Sequence, residues 1–168
     1  KSSPWEESIR VPLLIGRVGP GTNTRAGRCD AVVNHVDITS TTLGLCGIDI
    51  PDGMGGHDYS GHCLLPNDSR YRQPEAESEP TSALLQQIPA KRHAHSVGTP
   101  WRGVVTRDGW KYVVTPQGDW LLHHLPDDPY EQANLVYDRC FEEQRARCLK
   151  ELRDWLARTG DDFPVPES

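Results

Sequence analysis

An unbroken apolar run at residues 11–15 is the first strong hydrophobic pattern in the chain. A short run of this kind, bounded by turn residues, is typical of a strand that is buried on both faces of a sheet. Gly16 ends the run, and Pro12 must lie where the strand needs no backbone donor. Because a central strand needs neighbours on both sides, the pattern predicts that residues 11–15 form one strand of a larger sheet.

Residues 37–47 mix β-branched and polar side chains, and the residues at the two ends favour a helix over a strand. Asp37 is a good N-cap residue, and Gly47 is a good residue to follow the last helical turn. We therefore predict a short helix. The side chains that would share one face of it are Ile38, Thr41, Thr42 and Leu45.

The middle of the chain is polar and leaves two interpretations open. His57, Asp58 and His62 could form a metal site, or they could belong to a flexible turn. Residues 67–81 are rich in Pro, Glu, Ser and Arg and are typical of a linker or long loop. Residues 82–88 carry apolar side chains at helical spacing, which predicts one or two helical turns.

A compact cationic run occupies residues 91–95 and contains His93 and His95. Such a run could face an anionic substrate, or it could be a solvated loop. We take His93 and His95 as candidate substrate-binding residues.

From Trp101 onward, apolar and polar residues alternate with the period of two that strands show. Turn signals at residues 107–109 and 116–119 divide this region into three strands and predict an antiparallel meander. The tryptophans of this region could stack on sugar rings or pack the sheet against a helix. They are Trp101, Trp110 and Trp120.

A helix is predicted to follow the meander. Asp128, followed by a proline and then by Glu131, has the residues of a helix start, which predicts a brief helical turn up to residue 135. A longer helix is predicted at residues 138–159, with Gly160 closing it. Its apolar stripe consists of Phe141, Cys148, Leu149, Leu152, Trp155 and Leu156.

Composition argues against several classes of function. The 168 residues carry a net charge of −6 without a Lys/Arg-rich block, so neither nucleic acid nor an anionic membrane is a suggested partner. The five cysteines form no Cys-x-x-Cys pair, which argues against a zinc site. Cys46 and Cys148 lie in apolar patterns and are predicted to be packed thiols. Because the first residue is Lys1, we expect a truncated or processed product.

Three blocks of the sequence, in this order, resemble the sulfatases. The first consists of Lys1, Trp5, Glu6 and residues 9–12. The second consists of Val33, Asp37, Ile38, Thr41, Leu43, Leu45, Gly47, Ile48 and Pro51. The third and most specific consists of residues 110–112, 122–125 and 128–135. The chain departs from the usual sulfatase pattern at Ser40, Thr42, Cys46, His123 and His124.

The resemblance implies an α/β protein. Residues 1–65 would be the end of an alkaline-phosphatase-like mixed-sheet catalytic domain, and residues 66–97 would be a linker. Residues 98–168 would be a small C-terminal subdomain, an antiparallel sheet with one helix.

The resemblance also implies a hydrolase of sulfate esters, in which Lys1 contacts the sulfate group. Calcium and a formylglycine nucleophile would be held upstream, so this chain binds no cofactor or metal itself and is expected to be inactive alone. Its substrate would be a sulfated small molecule or sugar, and its partner would be the missing N-terminal part of the same domain.

Two other functions are open from sequence. A phosphodiester or phosphonate hydrolase of the same superfamily would share the C-terminal blocks. A binding or interaction module without catalytic activity would use the tryptophans and residues 91–95 as its site.

Overall fold

The computed structural model describes residues 3–16, 24–74, 78–87 and 98–165. The helices and strands in chain order are α1 (Glu6–Ile9), α2 (His35–Cys46), α3 (Ser60–Cys63), β1 (Ser82–Gln87), β2 (Trp101–Thr106), β3 (Trp110–Thr115), β4 (Gly118–His124), a 3₁₀ turn (Arg139–Phe141) and α4 (Glu142–Thr159). The chain divides into two compact units. Unit 1 comprises Lys1–Val11 and Ser82–Ser168, and unit 2 comprises Pro12–Thr81. Within the described residues, none of the helices has both the length and the apolar character needed to cross a membrane.

The four strands of unit 1 form one antiparallel sheet in the order β1, β2, β3, β4. The predicted meander is confirmed as β2, β3 and β4. The prediction of helical turns at residues 82–88 is wrong for its described part, since β1 pairs with β2 from Ser82 opposite Thr106 to Gln87 opposite Trp101. Pairing with β2 makes this segment a strand, because contacts between strands outweigh the intrinsic preference of a short segment.

The two faces of this sheet pack against different parts of unit 1. One face joins the apolar stripe of α4 in a buried cluster that includes Val104, Tyr112 and Leu152. The other face holds Trp101 and its neighbours, and Trp5 and Ile9 pack against it. The segment around α1 is therefore the second cover of the sheet.

Helix α4 confirms the long C-terminal helix. The 3₁₀ turn before it is capped by Asp138, whose Oδ1 accepts from the Cys140 amide at 2.9 Å. Gly160 ends the helix in the left-handed conformation, with φ of 64°. Trp155 is only half-buried, and its Nε1 donates to Ser82 Oγ at 2.8 Å.

The two cysteines predicted to be packed differ in the structure. Cys148 is buried in α4, and burial raises the pKa of its thiol to about 12. Cys46 is exposed at the end of α2, so the prediction is wrong for this residue within the described structure.

Helix α2 of unit 2 begins earlier than predicted. Asn34 is the N-cap, and its side chain accepts from the His35 amide, while Asp37 reaches back to the Asn34 amide at 2.6 Å. Asp37 is therefore the N3 residue of a capping box and not the N-cap. Gly47 closes the helix with φ of 71°, as predicted.

The face of α2 that unit 2 buries is polar. Asp37, Ser40 and Thr41 are buried, whereas Ile38 is 43% exposed. Of the side chains predicted to share one face, Thr41 is therefore buried and Ile38 is not. Polar contacts hold the helix: Asp37 accepts from the His57 amide at 2.7 Å, and Thr41 accepts from the Tyr59 amide at 3.1 Å.

The apolar run at residues 11–15 does not form the predicted strand in the described structure. Leu14 is 92% exposed, and its apolar neighbours in the run are more than one-third exposed. A strand needs a hydrogen-bonding partner, and none of the four described strands pairs with this run.

Candidate functional site

The three candidate site residues, Lys1, His93 and His95, lie outside the described residues. The structure does describe the segment that follows Lys1. In that segment Pro4 is fully buried, and α1 begins directly after Trp5. This segment is held on the sheet by aromatic contacts and by a group of buried charges.

Trp5 is held by aromatic contacts. Its ring meets the Trp120 ring edge-on, with centroids 6.4 Å apart, and lies 6.0 Å from the His123 ring. The Trp5 carbonyl accepts from the amides of Ser8 and Ile9, which closes the short helix α1. The aromatic contacts therefore pack the Trp5 ring against strand β4.

Lys111, in the middle of β3, is the centre of a buried charge cluster. Its side chain has no exposed surface, and its Nζ donates to the Pro4 carbonyl at 2.7 Å and to Glu6 Oε1 at 3.1 Å. The same ammonium pairs with Glu131, whose side chain is 1% exposed. Glu131 in turn accepts from the Glu6 amide at 2.6 Å. We refer to Lys111, Glu131 and Glu6 as the buried charge cluster.

The turn that begins at Asp128 delivers Glu131 to this cluster. The Asp128 carboxylate accepts from the amides of Gln132 and Ala133 at 3.0 and 2.8 Å, and these hydrogen bonds hold the pKa of Asp128 below its usual value. Glu131 has φ of 53°, an uncommon conformation for a residue other than glycine. The prediction of a helical turn is wrong: Asp128 caps a non-helical turn, and Glu131 reaches across to Lys111.

His123 lies beside the cluster, opposite Lys111 in the pairing of β3 with β4. It is 1% exposed, its Nδ1 is 3.7 Å from Asp128 Oδ2, and neither ring nitrogen has a hydrogen-bond partner among the described residues. Burial lowers the pKa of His123; Lys111 acts in the same direction, while Glu131 and Asp128 oppose it. The histidine is therefore neutral in the fold at neutral pH.

This lowered pKa predicts a loss of stability in mild acid. The unfolded chain holds His123 at an ordinary pKa of about 6.5, so below that pH it binds more protons than the folded chain does. The free energy of unfolding should fall by at most about 1.4 kcal/mol per pH unit from this residue, between about pH 6.5 and the folded pKa. Urea unfolding at pH 8 and pH 5.5 measures the loss.

The variant His123→Leu should lose less stability between these two pH values, whereas His35→Gln, at an exposed site on α2, should behave as wild type. An unchanged pH dependence in His123→Leu would contradict the prediction.

His57, Asp58 and His62 of unit 2, the residues considered for a metal site, make separate contacts. The His57 amide donates to Asp37, Asp58 Oδ1 accepts from the Ser60 amide at 2.8 Å, and His62 Nε2 lies 2.5 Å from Glu79 Oε1. Across the described ranges, no three His, Cys, Asp or Glu side chains stand close enough together to hold a metal ion. The described residues thus do not fit calcium, which takes about six to eight oxygen ligands.

The tryptophans of the meander pack within unit 1. Trp101 is 2% exposed, Trp110 lies against Phe141 and His124, and Trp120 lies against Trp5. These contacts agree with the interpretation that the tryptophans pack the sheet.

The comparisons with known proteins agree on one family. Residues 1–158 match the family described as N-sulphoglucosamine sulphohydrolase, C-terminal. The chain is 34% identical over 164 residues to the ulvan-active sulfatase of Formosa agariphila. This alignment covers 97% of this chain and 30% of that protein. It is also 32% identical over 139 residues to arylsulfatase K of Bos taurus, in an alignment that covers 81% of this chain and 24% of that protein.

A solved structure has the same fold. The protein BT4656, in complex with its substrate D-glucosamine-2-N,6-O-disulfate, superposes with a TM-score of 0.61 and 18% identity, over 76% of this chain and 24% of that one. At this identity the likeness concerns the fold, and it supports the predicted alkaline-phosphatase-like α/β class. The chain spans 24–30% of the length of the relatives named here. The family match over residues 1–158 shows that this chain belongs to the C-terminal family of N-sulphoglucosamine sulphohydrolase and is the C-terminal part of a sulfatase.

Proposed function

We propose that the protein containing this chain hydrolyses sulfate esters of a sulfated sugar, and that Lys1 contributes a positive charge to the site. The observation that carries the proposal is the family match from residue 1 to residue 158, which includes Lys1 and all three sulfatase-like blocks. BT4656 has a sulfated glucosamine as its substrate, which supports a sulfated sugar as the substrate class here.

The contribution of this chain would be electrostatic. Negative charge builds on the sulfate oxygens as the ester bond breaks, and an ammonium held close to them stabilises that charge. In the sequence, Lys1 is three residues before Pro4, which is buried.

The calcium and the formylglycine nucleophile that the family resemblance implies belong, in this proposal, to the remaining part of the protein. Calcium would polarise the sulfate group when bound. The described residues of this chain contain no ligand set for it. His93 and His95 remain candidates for contacts with the anionic substrate.

The partner proposed for unit 2 is the rest of the catalytic domain. Leu14, Val36 and Ile48 are 92%, 56% and 55% exposed, which is unusual for a set of large apolar side chains within one small unit. The relatives are three to four times as long as this chain. Their additional residues are the natural cover for these side chains, and the run at residues 11–15 would gain its sheet partners there.

The complete protein should release inorganic sulfate from an aryl sulfate and from a sulfated glucosamine, whereas residues 1–168 alone should show no turnover. The physical reason is that one ammonium group supplies no nucleophile. Sulfate release measured for both proteins at equal concentration tests this expectation. Hydrolysis of phosphodiesters or phosphonates without hydrolysis of sulfate esters would reject the proposal in favour of the related hydrolase class.

A further inference from the structure

We propose that Lys111 and Glu131 are positioning residues of this sulfatase, which fix the segment carrying Lys1 on the sheet without touching the substrate. The inference rests on the proposed role of Lys1. It assigns a function to Lys111 and Glu131 of the buried charge cluster, which are more than a hundred residues away from Lys1 in sequence.

The contacts of Lys111 are directed at the start of the chain. Its ammonium reaches the Pro4 carbonyl and the Glu6 carboxylate, and Glu131 accepts from the Glu6 amide. Backbone groups on both sides of Trp5 are therefore bound by the same ion pair. These contacts fix the main chain at Pro4 and Glu6, and the Trp5 ring packs between them against β4.

A buried ion pair is an inefficient way to stabilise a fold. The loss of hydration offsets most of the attraction, and replacing both charges with apolar groups of similar size is often neutral or stabilising. What apolar groups cannot supply is the set of directed hydrogen bonds to Pro4 and Glu6. The cluster therefore contributes most to the exact placement of these backbone atoms.

The backbone at Glu131 supports this interpretation. Its left-handed φ is unfavourable for a residue with a side chain, and such conformations concentrate at functional sites. The Asp128 carboxylate holds the turn by accepting from two amides, so the turn presents the Glu131 carboxylate to Lys111.

The test uses the complete protein and the paired variant Lys111→Met/Glu131→Leu, which replaces both charges with apolar groups of similar length. Its control is Lys150→Met/Asp154→Leu, which removes an exposed ion pair on α4. We expect the first pair to fold with a lower melting temperature, because the Pro4 carbonyl and the Glu6 amide lose their partners. We also expect it to lower kcat by about 10–100-fold, since small displacements of a catalytic group cost this much. KM should change little, and the control should retain wild-type kcat.

A double-mutant cycle with Lys1→Ala separates positioning from a general loss of structure. If the cluster acts through Lys1, the paired variant should lower kcat by less than about twofold further in the Lys1→Ala background. Full additivity of the two effects would overturn the inference, as would wild-type kcat in the paired variant.

Hydrogen–deuterium exchange gives a readout that does not depend on activity. Peptides covering residues 3–10 should exchange at least about tenfold faster in the paired variant, and peptides of α4 should be unchanged. Unchanged exchange at residues 3–10 would overturn the inference even if the protein is a sulfatase. A complete protein that releases no sulfate, but whose residues 3–10 exchange faster in the variant, would reject the proposed function and leave the anchoring of this segment established.

Should the paired variant fail to fold, Glu131→Gln provides the same test with a smaller change. Its amide oxygen can still accept from the Glu6 amide, while the charge that faces Lys111 is lost. Faster exchange at residues 3–10 with a lower kcat supports the inference, and wild-type values of both overturn it.

Discussion

Replacing Lys1 with alanine in the complete protein is expected to lower kcat for sulfate ester hydrolysis by about 10²–10³, or roughly 2.7–4 kcal/mol of transition-state stabilisation. The charge on the sulfate oxygens grows as the bond to the leaving group breaks, so a fixed ammonium stabilises the transition state more than the bound ester. The melting temperature should not change, because Lys1 precedes the buried contacts that begin at Pro4. Steady-state kinetics with an aryl sulfate, together with a melting curve, measures both quantities.

Lys1→Arg should restore only part of the activity. The guanidinium is planar and broad, and it does not replace a compact ammonium at a site shaped for a point charge. Lys150→Ala is the matched control, since it removes the same kind of charge from a side chain that is 77% exposed on α4. A kcat for Lys1→Ala within about twofold of wild type would show that Lys1 is a solvated charge outside the site.

The parts of the fold that sequence predicts well are those in which local patterns agree with tertiary contacts. The period-two alternation and turn residues identify β2, β3 and β4, and the apolar stripe ending at Gly160 identifies α4. Strand β1 is missed because the adjacent Leu84 and Leu85 fit the period of a helix as well as that of a strand. Only the pairing with β2 shows that the segment is a strand.

The start of α2 and the turn after Asp128 show how similar caps produce different structures. Asn34 and Asp37 form a reciprocal capping box, which makes Asp37 the third residue of the helix. At Asp128 the same type of signal is present, but Glu131 is drawn to the buried ammonium of Lys111. The stronger interaction of a carboxylate with a buried opposite charge outweighs a local cap.

The buried charge cluster could have been suspected from sequence at one position. Lys111 lies between two aromatic residues of β3, and the alternation of the strand places it on the same face as Val113, which is buried. A lysine at an inward position of a strand requires a buried partner. Neither Glu6 nor Glu131 is close in sequence, so its partners emerge only from the fold.

The exposed run at residues 11–15 has a different explanation. Its apolar pattern is that of a central strand, yet the described strands of this chain pair only among themselves. The relatives are three to four times as long as this chain, and we propose that the partners of such a strand belong to the remaining part of the protein. The pattern thus predicts the packing of residues 11–15 in the complete protein.

Replacing Leu152 with alanine should destabilise unit 1 by about 2–5 kcal/mol, which is among the largest effects expected of a single core substitution. Leu152 is fully buried in the cluster that joins α4 to the sheet, where it shares the interior with Val104 and Tyr112. The Tyr112 hydroxyl donates to Asp119, and this bond limits how far its ring can move to fill a cavity. Urea unfolding of the 168-residue chain, followed by tryptophan fluorescence, measures the loss.

Tyr130→Ala is the control, because it truncates the side chain of a residue that is 75% exposed, and it should cost less than about 0.5 kcal/mol. A loss below about 1 kcal/mol for Leu152→Ala would show that α4 does not pack on the sheet as described.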